Sequence, residues 1–242
     1  MIRDMFQYGK RSIVLLFYLS TLFPSLFATN NFGYTEEKPL IIVCDWDFRP
    51  FEFTNAEGQP AGYNVDVLDE IFDQLNIPHK FVMQEWHVAT EMFKRREADL
   101  IHAQYFLYKD APYMSTHKYI NYYNMKVARR DNTKPLNRIA DLHSSDTLIL
   151  KEDDYAAKAL TERGKLPFTI EYHSPKDGLT GIIQGKYKYF IWGEIPLTYK
   201  IQELGLNGIT LDKIDIPAGE LRIIGYNKDL IDIIDDQYTR LE

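Results

Sequence analysis

Short apolar runs alternate with segments of helical periodicity along most of this chain, and that alternation limits the possible folds more than any other feature. Leu40-Ile41-Ile42-Val43-Cys44 is nearly continuous in apolar character, as suits a strand covered on both faces. Leu68, Ile71, Phe72 and Leu75 then fall at i, i+3, i+4 and i+7, the stripe of a helix over 64–75. The spacing goes on to predict a strand at 79–84, a helix at 87–96 and a strand at 99–103. Residues 119–128 read as one long strand or two. Leu148-Ile149-Leu150 is a further strand, and Asp153 is placed to cap a helix over 154–163 that Gly164 closes. A strand at 168–172 leads to Ser174-Pro175, a cap with proline at the first helical position. Strands at 188–192, 209–216 and 220–225, a helix from Glu194 to Gln202 and a closing helix marked by Leu230, Ile233, Ile234, Tyr238 and Leu241 complete the pattern. Strands separated by helices predict parallel sheets covered by helices. The charged stretch 129–146 divides them into two α/β lobes.

Composition removes several functional classes. The 242 residues carry a net charge of -7, so a basic nucleic-acid footprint is not expected. Cys44 is the single cysteine, which excludes an internal disulfide and a cysteine-rich zinc site. At its N-terminus, Arg3, Lys10 and Arg11 precede an apolar run from Ser12 to Phe27, followed by Ala28 and polar sequence. That order describes a secretory signal over 1–28, with an uncleaved N-terminal anchor as the other reading. The run holds Pro24 and is short for a spanning helix. Residues 29–38 form a polar lead-in, and the chain beyond the signal carries a charge near -9.

Catalytic motifs are missing from the sequence: there is no HExxH, GxSxG, P-loop or GxGxxG. The six histidines lack metal-ligand spacing, so no metal or cofactor and no catalytic residue is expected. Aromatic and polar residues do gather where strands end, which is where α/β sheets bind ligands. Asp45 through Phe51 follow the first strand, Gln104 and Tyr105 the third, and Trp192 and Glu194 the strand near 190. An aromatic wall with a few fixed charges suits a small-molecule site.

Ile42 to Asp45, Pro50-Phe51-Glu52-Phe53, Gly58 and Gly62-Tyr63-Asn64-Val65-Asp66-Val67 together resemble the opening of the family 3 bacterial extracellular solute-binding proteins. The likeness continues through Trp86, Ala98-Asp99-Leu100-Ile101, Asp141-Leu142, Leu148–Leu150 and Gly185-Lys186-Tyr187-Lys188-Tyr189. It implies a two-lobed flytrap of the periplasmic binding protein type II class. Residues 39–120 and 217–242 would form a discontinuous first lobe, and 121–216 the second lobe with hinge strands. The implied ligand contacts are Asp45, Phe48, Phe51, Trp86, Gln104, Tyr105, Lys109, Lys151, Asp153, Trp192 and Glu194. Phe48 or Phe51 would stack on the ligand, Lys151 to Asp153 would present a helix N-terminus to an anionic group, and Glu194 would meet an ammonium. Amino-acid binders of this family carry an arginine after the third strand to clamp the α-carboxylate. Tyr108-Lys109-Asp110-Ala111 stands there instead, and lysine lacks the planar fork.

The resemblance implies a monomeric periplasmic protein that traps a small polar solute, an amino acid or a related molecule, by lobe closure. Its partner would be an inner-membrane transporter or a receptor kinase, with this chain a sensor domain in the second case. The other class is an enzyme on the same fold, similar to cyclohexadienyl dehydratase, with Glu194 as its acid or base.

Overall fold

The computed structural model describes residues 32–104, 112–118, 121–152 and 154–241. The chain opens with β1 (Leu40–Asp45), then a small antiparallel sheet of β2 (Asp47–Phe48), β3 (Glu52–Thr54) and β4 (Pro60–Ala61). After it come α1 (Tyr63–Gln74), β5 (His79–Gln84), α2 (Trp86–Lys94), β6 (Leu100–Gln104), β7 (Met114–Ser115) and β8 (Asn121–Tyr123). Next are β9 (Met125–Arg130), β10 (Thr147–Leu150), α3 (Tyr155–Thr161), β11 (Thr169–Tyr172), α4 (Pro175–Gln184) and β12 (Tyr189–Gly193). The last elements are α5 (Glu194–Glu203), β13 (Ile209–Lys213), β14 (Gly219–Gly225) and α6 (Lys228–Leu241).

Two larger sheets organise these elements into two lobes. The first has strand order β5-β1-β6-β14-β7, with β8 paired to β14; the second runs β11-β10-β12-β9-β13. In the first lobe, β1 lies parallel to both β5 and β6. Its alternate residues serve two layers. Leu40, Ile42 and Cys44 pack on the α1 and α6 side with Leu68, Phe72 and Ile234, while Val43 packs with Phe93 of α2. Burying apolar side chains on both faces is what an unbroken apolar strand requires.

The expectation of parallel sheets needs correction. Strand β14 is antiparallel to β6, and β9 is antiparallel to β12 and β13. Only a crossover returns a chain to run parallel to its neighbour, and β8 to β9 and β13 to β14 are joined directly. These two joints also carry the chain between the sheets. Asn124 links β8 of the first to β9 of the second, and residues 214–218 lead from β13 back to β14. The predicted cap of the third helix also moves by one residue. Asp154, not Asp153, is the N-cap of α3, and its carboxylate accepts the Ala156 N–H at 3.1 Å.

Gly62 fixes how α1 meets the small sheet. Its φ is 118°, and a Cβ there would stand 2.5 Å from the Phe51 carbonyl oxygen, so only glycine fits. The Asn64 N–H donates to that same carbonyl at 2.8 Å. The turn thereby anchors Phe48 and Phe51, whose rings lie 5.3 Å apart.

Both of these rings belong to the core of the second lobe. Phe48 sits 5.6 Å from the Tyr123 ring and 6.4 Å from Trp192. A side chain of the first lobe's small sheet therefore fills the apolar seam between lobes. Around it, Asp47 accepts two hydrogen bonds from Lys200 of α5 at 2.7 and 2.9 Å, and Arg49 lies 3.5 Å from Glu203. Because Phe48 is only 4% exposed, replacing it leaves a cavity at the seam. Phe48→Ala is expected to lower unfolding stability by about 3–5 kcal/mol, read from urea titration. A loss under about 1 kcal/mol would show that the ring contributes little to joining the lobes.

Candidate functional site

Residues 45–47 and 85–87 of the first lobe and 151–152 and 172–175 of the second line a pocket of about 240 Å³. Every one of these segments follows a strand: β1, β5, β10 and β11. This is the edge where parallel strands end and ligands settle in α/β sheets. The pocket lies between the lobes, and its volume suits a small solute rather than a drug-sized one, which fills roughly 300–1,000 Å³.

Asp45 is the side chain on which the rest of the pocket turns. It ends β1 and is 4% exposed. Its N–H donates to Glu52 Oε1 at 2.9 Å, and its Oδ1 accepts the Asp47 N–H at 3.0 Å. Its Oδ2 accepts a hydrogen bond from Lys151 Nζ of the second lobe. Glu52 is fully buried, and its other oxygen lies 2.7 Å from His102 Nδ1. A buried histidine and glutamate thus hold the backbone of Asp45 from behind while Lys151 holds its carboxylate in front.

Lys151 leaves the end of β10 and places Nζ 5.7 Å from the Trp192 ring centre. Burial works against its ammonium, but the Asp45 carboxylate, followed by Asp154 and Asp47, outweighs burial and raises its pKa. The reverse balance holds at Asp154, which is 2% exposed. Burial pushes its carboxyl up, and the Ala156 N–H, Lys151 and the Tyr123 hydroxyl only partly oppose this. The Tyr123 hydroxyl donates to Asp154 Oδ2 at 3.0 Å. Gly193 makes room for that tyrosine, since a Cβ there would lie 2.1 Å from its ring.

The residues expected from the sequence separate in space. Asp45, Trp86 and Lys151 line the pocket. Phe48, Phe51 and Trp192 are buried together in the apolar seam, and Trp192 is 1% exposed. Glu194 begins α5, lies 3.2 Å from Lys126 and is absent from the pocket lining. Gln104 ends β6, while Tyr105, Lys109 and Asp153 lie outside the described residues.

Trp46, Asp47, Glu85, Glu152, Tyr172 and His173 line the pocket without having been expected as ligand contacts. Trp46, Asp47 and Glu152 stood in segments the sequence had already marked. Glu85 and Tyr172 follow from the same strand-end rule applied to β5 and β11.

Asp154 offers a test with a defined sign. The folded state holds its proton more tightly than the unfolded chain, so its contribution is complete below the ordinary carboxylate value of 3.8 and is lost as pH rises through the raised one. Asp154→Asn, which keeps a capping oxygen, should gain stability relative to the parent in urea midpoints as pH rises above the ordinary carboxylate value of 3.8. A relative loss as pH rises would show the ionised carboxylate to be well accommodated.

The family model of "Bacterial extracellular solute-binding proteins, family 3" matches residues 40–171. An "L-arginine-binding protein" of Pseudomonas aeruginosa is 23% identical over 158 residues, 63% of this chain. The match takes in 60% of that protein's length. Among solved structures, a "Histidine Kinase Sensor Domain with Similarity to Periplasmic Binding Proteins" superposes with a TM-score of 0.75 at 20% identity. That likeness covers 84% of this chain and 90% of the other. The "substrate binding protein of an amino acid ABC transporter" reaches 0.70 at 14% identity, covering 84% and 92%. These likenesses show the two-lobed periplasmic-binding-protein fold. With the family model covering more than half its length, this chain belongs to the family 3 bacterial extracellular solute-binding proteins.

Proposed function

We propose that this protein binds a small polar solute in the pocket between its lobes, and that Asp45, Trp46, Trp86, Lys151 and Tyr172 form the ligand contacts. The observation that carries this reading is the Asp45–Lys151 ion pair, which joins the two lobes at the pocket wall. A ligand that touches both partners acts on the closure of the lobes directly. The first lobe then consists of residues 39–120 and 217–242, and the joints at Asn124 and 214–218 serve as the hinge. Gln104, Tyr105, Lys109 and Asp153 stay candidate contacts by the resemblance of the sequence alone. Phe48, Phe51 and Trp192 support the rim from the seam.

The protein is an exported binding module, with residues 1–28 as its secretory signal. Among the described residues, no helix is long and apolar enough to cross a membrane. Closure of the lobes serves delivery to a membrane transporter or signalling by a receptor kinase. The sensor-domain neighbour supports signalling and the transporter-component neighbour supports delivery. Catalysis is not part of the proposal. A dehydratase reading needs Glu194 as a proton-transfer group beside the bound molecule, and Glu194 pairs with Lys126 away from the pocket lining.

A thermal-shift screen of amino acids, organic acids, amines, nucleosides and small sugars tests the reading. A ligand at one hundred times its dissociation constant adds about 2.7 kcal/mol to the folded state. For a chain of this size that is a rise of roughly 5–10 °C. A hit recovered unchanged is the expected result, and conversion of the hit to product would replace the binding reading with an enzymatic one. Asp45→Asn should weaken binding of the hit about tenfold or more, as loss of a charge-assisted contact does. Unchanged affinity in that variant would place the ligand elsewhere.

A further inference from the structure

We infer that the pocket selects an organic cation and excludes the carboxylate of an α-amino acid, so that its ligand is a carboxylate-free amine or guanidinium. This deepens the solute-binding reading above and rests on it. The charges on the pocket wall are unbalanced. Asp45, Asp47, Glu85 and Glu152 line it, and Lys151 is the one lysine or arginine among its described lining residues. That lysine is already engaged by Asp45. Asp47 is held by Lys200 from outside the lining, and Glu85 lies 3.7 Å from His87. Glu152 stands exposed at the rim.

Each lobe also brings an open aromatic ring to the pocket. Trp46 of the first lobe and Tyr172 of the second are each 48% exposed. Large rings left half open to water on two sides of one cavity are surfaces awaiting a partner. The negative face of an aromatic ring attracts ammonium and guanidinium groups. The acids and the rings therefore favour the same ligand charge by different physics.

The helix starts around the pocket carry carboxyl groups of their own. Helix α2 begins after Glu85 on the pocket wall, though that side chain makes no capping bond. Helices α3 and α4 begin with bonded carboxyls. Helix N-termini bind anions through their free N–H groups and the helix dipole. At the start of α3, the Asp154 carboxylate takes the Ala156 N–H and the Tyr123 hydroxyl. At the start of α4, Ser174 Oγ accepts the Asp177 N–H at 3.1 Å and donates to the Asp177 carboxylate at 2.8 Å. A ligand carboxylate brought to either helix start would meet a carboxyl group already hydrogen-bonded there. Its desolvation would go uncompensated.

Isothermal titration of the purified protein with four probes tests this: arginine, agmatine (the same guanidinium without the carboxylate), putrescine and succinate. Agmatine or putrescine should bind at least about tenfold tighter than arginine, the effect of one unpaired buried polar group, and succinate should not bind. Trp46→Ala and Tyr172→Ala, each with native circular dichroism, should weaken the tightest probe about threefold to tenfold. Arginine binding as tightly as agmatine, succinate binding, or unchanged affinity in both variants would each overturn the inference. If all cations fail while a neutral or anionic solute from the wider screen binds, the inference falls and the solute-binding reading stands. Silence in both experiments would remove that reading as well.

Discussion

A carboxylate buried at the end of a strand has to be paired, and here the pairing group comes from the opposite lobe. Asp45 is fixed by its own backbone bond to Glu52, which His102 holds in turn, so its carboxylate faces the seam in a set position. Lys151 meets it from the end of β10. Burying either charge alone is costly, and their mutual attraction offsets that cost only when both are in place. The pair therefore favours one relative arrangement of the lobes. It also places both partners on the wall of the pocket.

The apolar seam and the ion pairs divide the work of joining the lobes. Phe48 and Phe51 enter a cluster with Tyr123 and Trp192, and burial of that surface is the nondirectional part of the attraction. Asp45–Lys151 and Asp47–Lys200 are directional, so they select an arrangement among those the seam would tolerate. Gly62 and Gly193 matter because each permits a close approach at the seam. One admits the Phe51 carbonyl and the other the Tyr123 ring. Of the residues in these contacts, Asp45, Asp47 and Lys151 also line the pocket.

Much of the fold was legible because each element carries a local signature. The β1 run, the α1 stripe from Leu68 to Leu75, the Ser174-Pro175 cap and the spacing in α6 depend on neighbours a few residues away. Strand direction was less legible. β9, β13 and β14 run antiparallel to sheet neighbours because of how the chain crosses between lobes, and periodicity carries no information about that. The shift of the α3 cap from Asp153 to Asp154 is of the same kind. Two adjacent aspartates offer the same chemistry, and the hydroxyl of Tyr123 from β8 engages the second.

The sequence by itself determined the main element types, the two-lobed class and the end of β1 as one wall of the pocket. Strand-end position marked Asp45, and the resemblance to the family marked Trp86 and Lys151. Only the tertiary structure decided which rings are open and which are buried. Phe48 and Trp192 have the chemistry of ligand-stacking residues, yet they fill the seam, while Trp46 and Tyr172 face the pocket. It likewise decided that Glu194 turns to Lys126 and that Asp45 turns to Lys151, more than one hundred residues away in sequence. The physical reason is that exposure and pairing are set by what the opposite lobe brings to the same place, and spacing along one chain does not contain that distance.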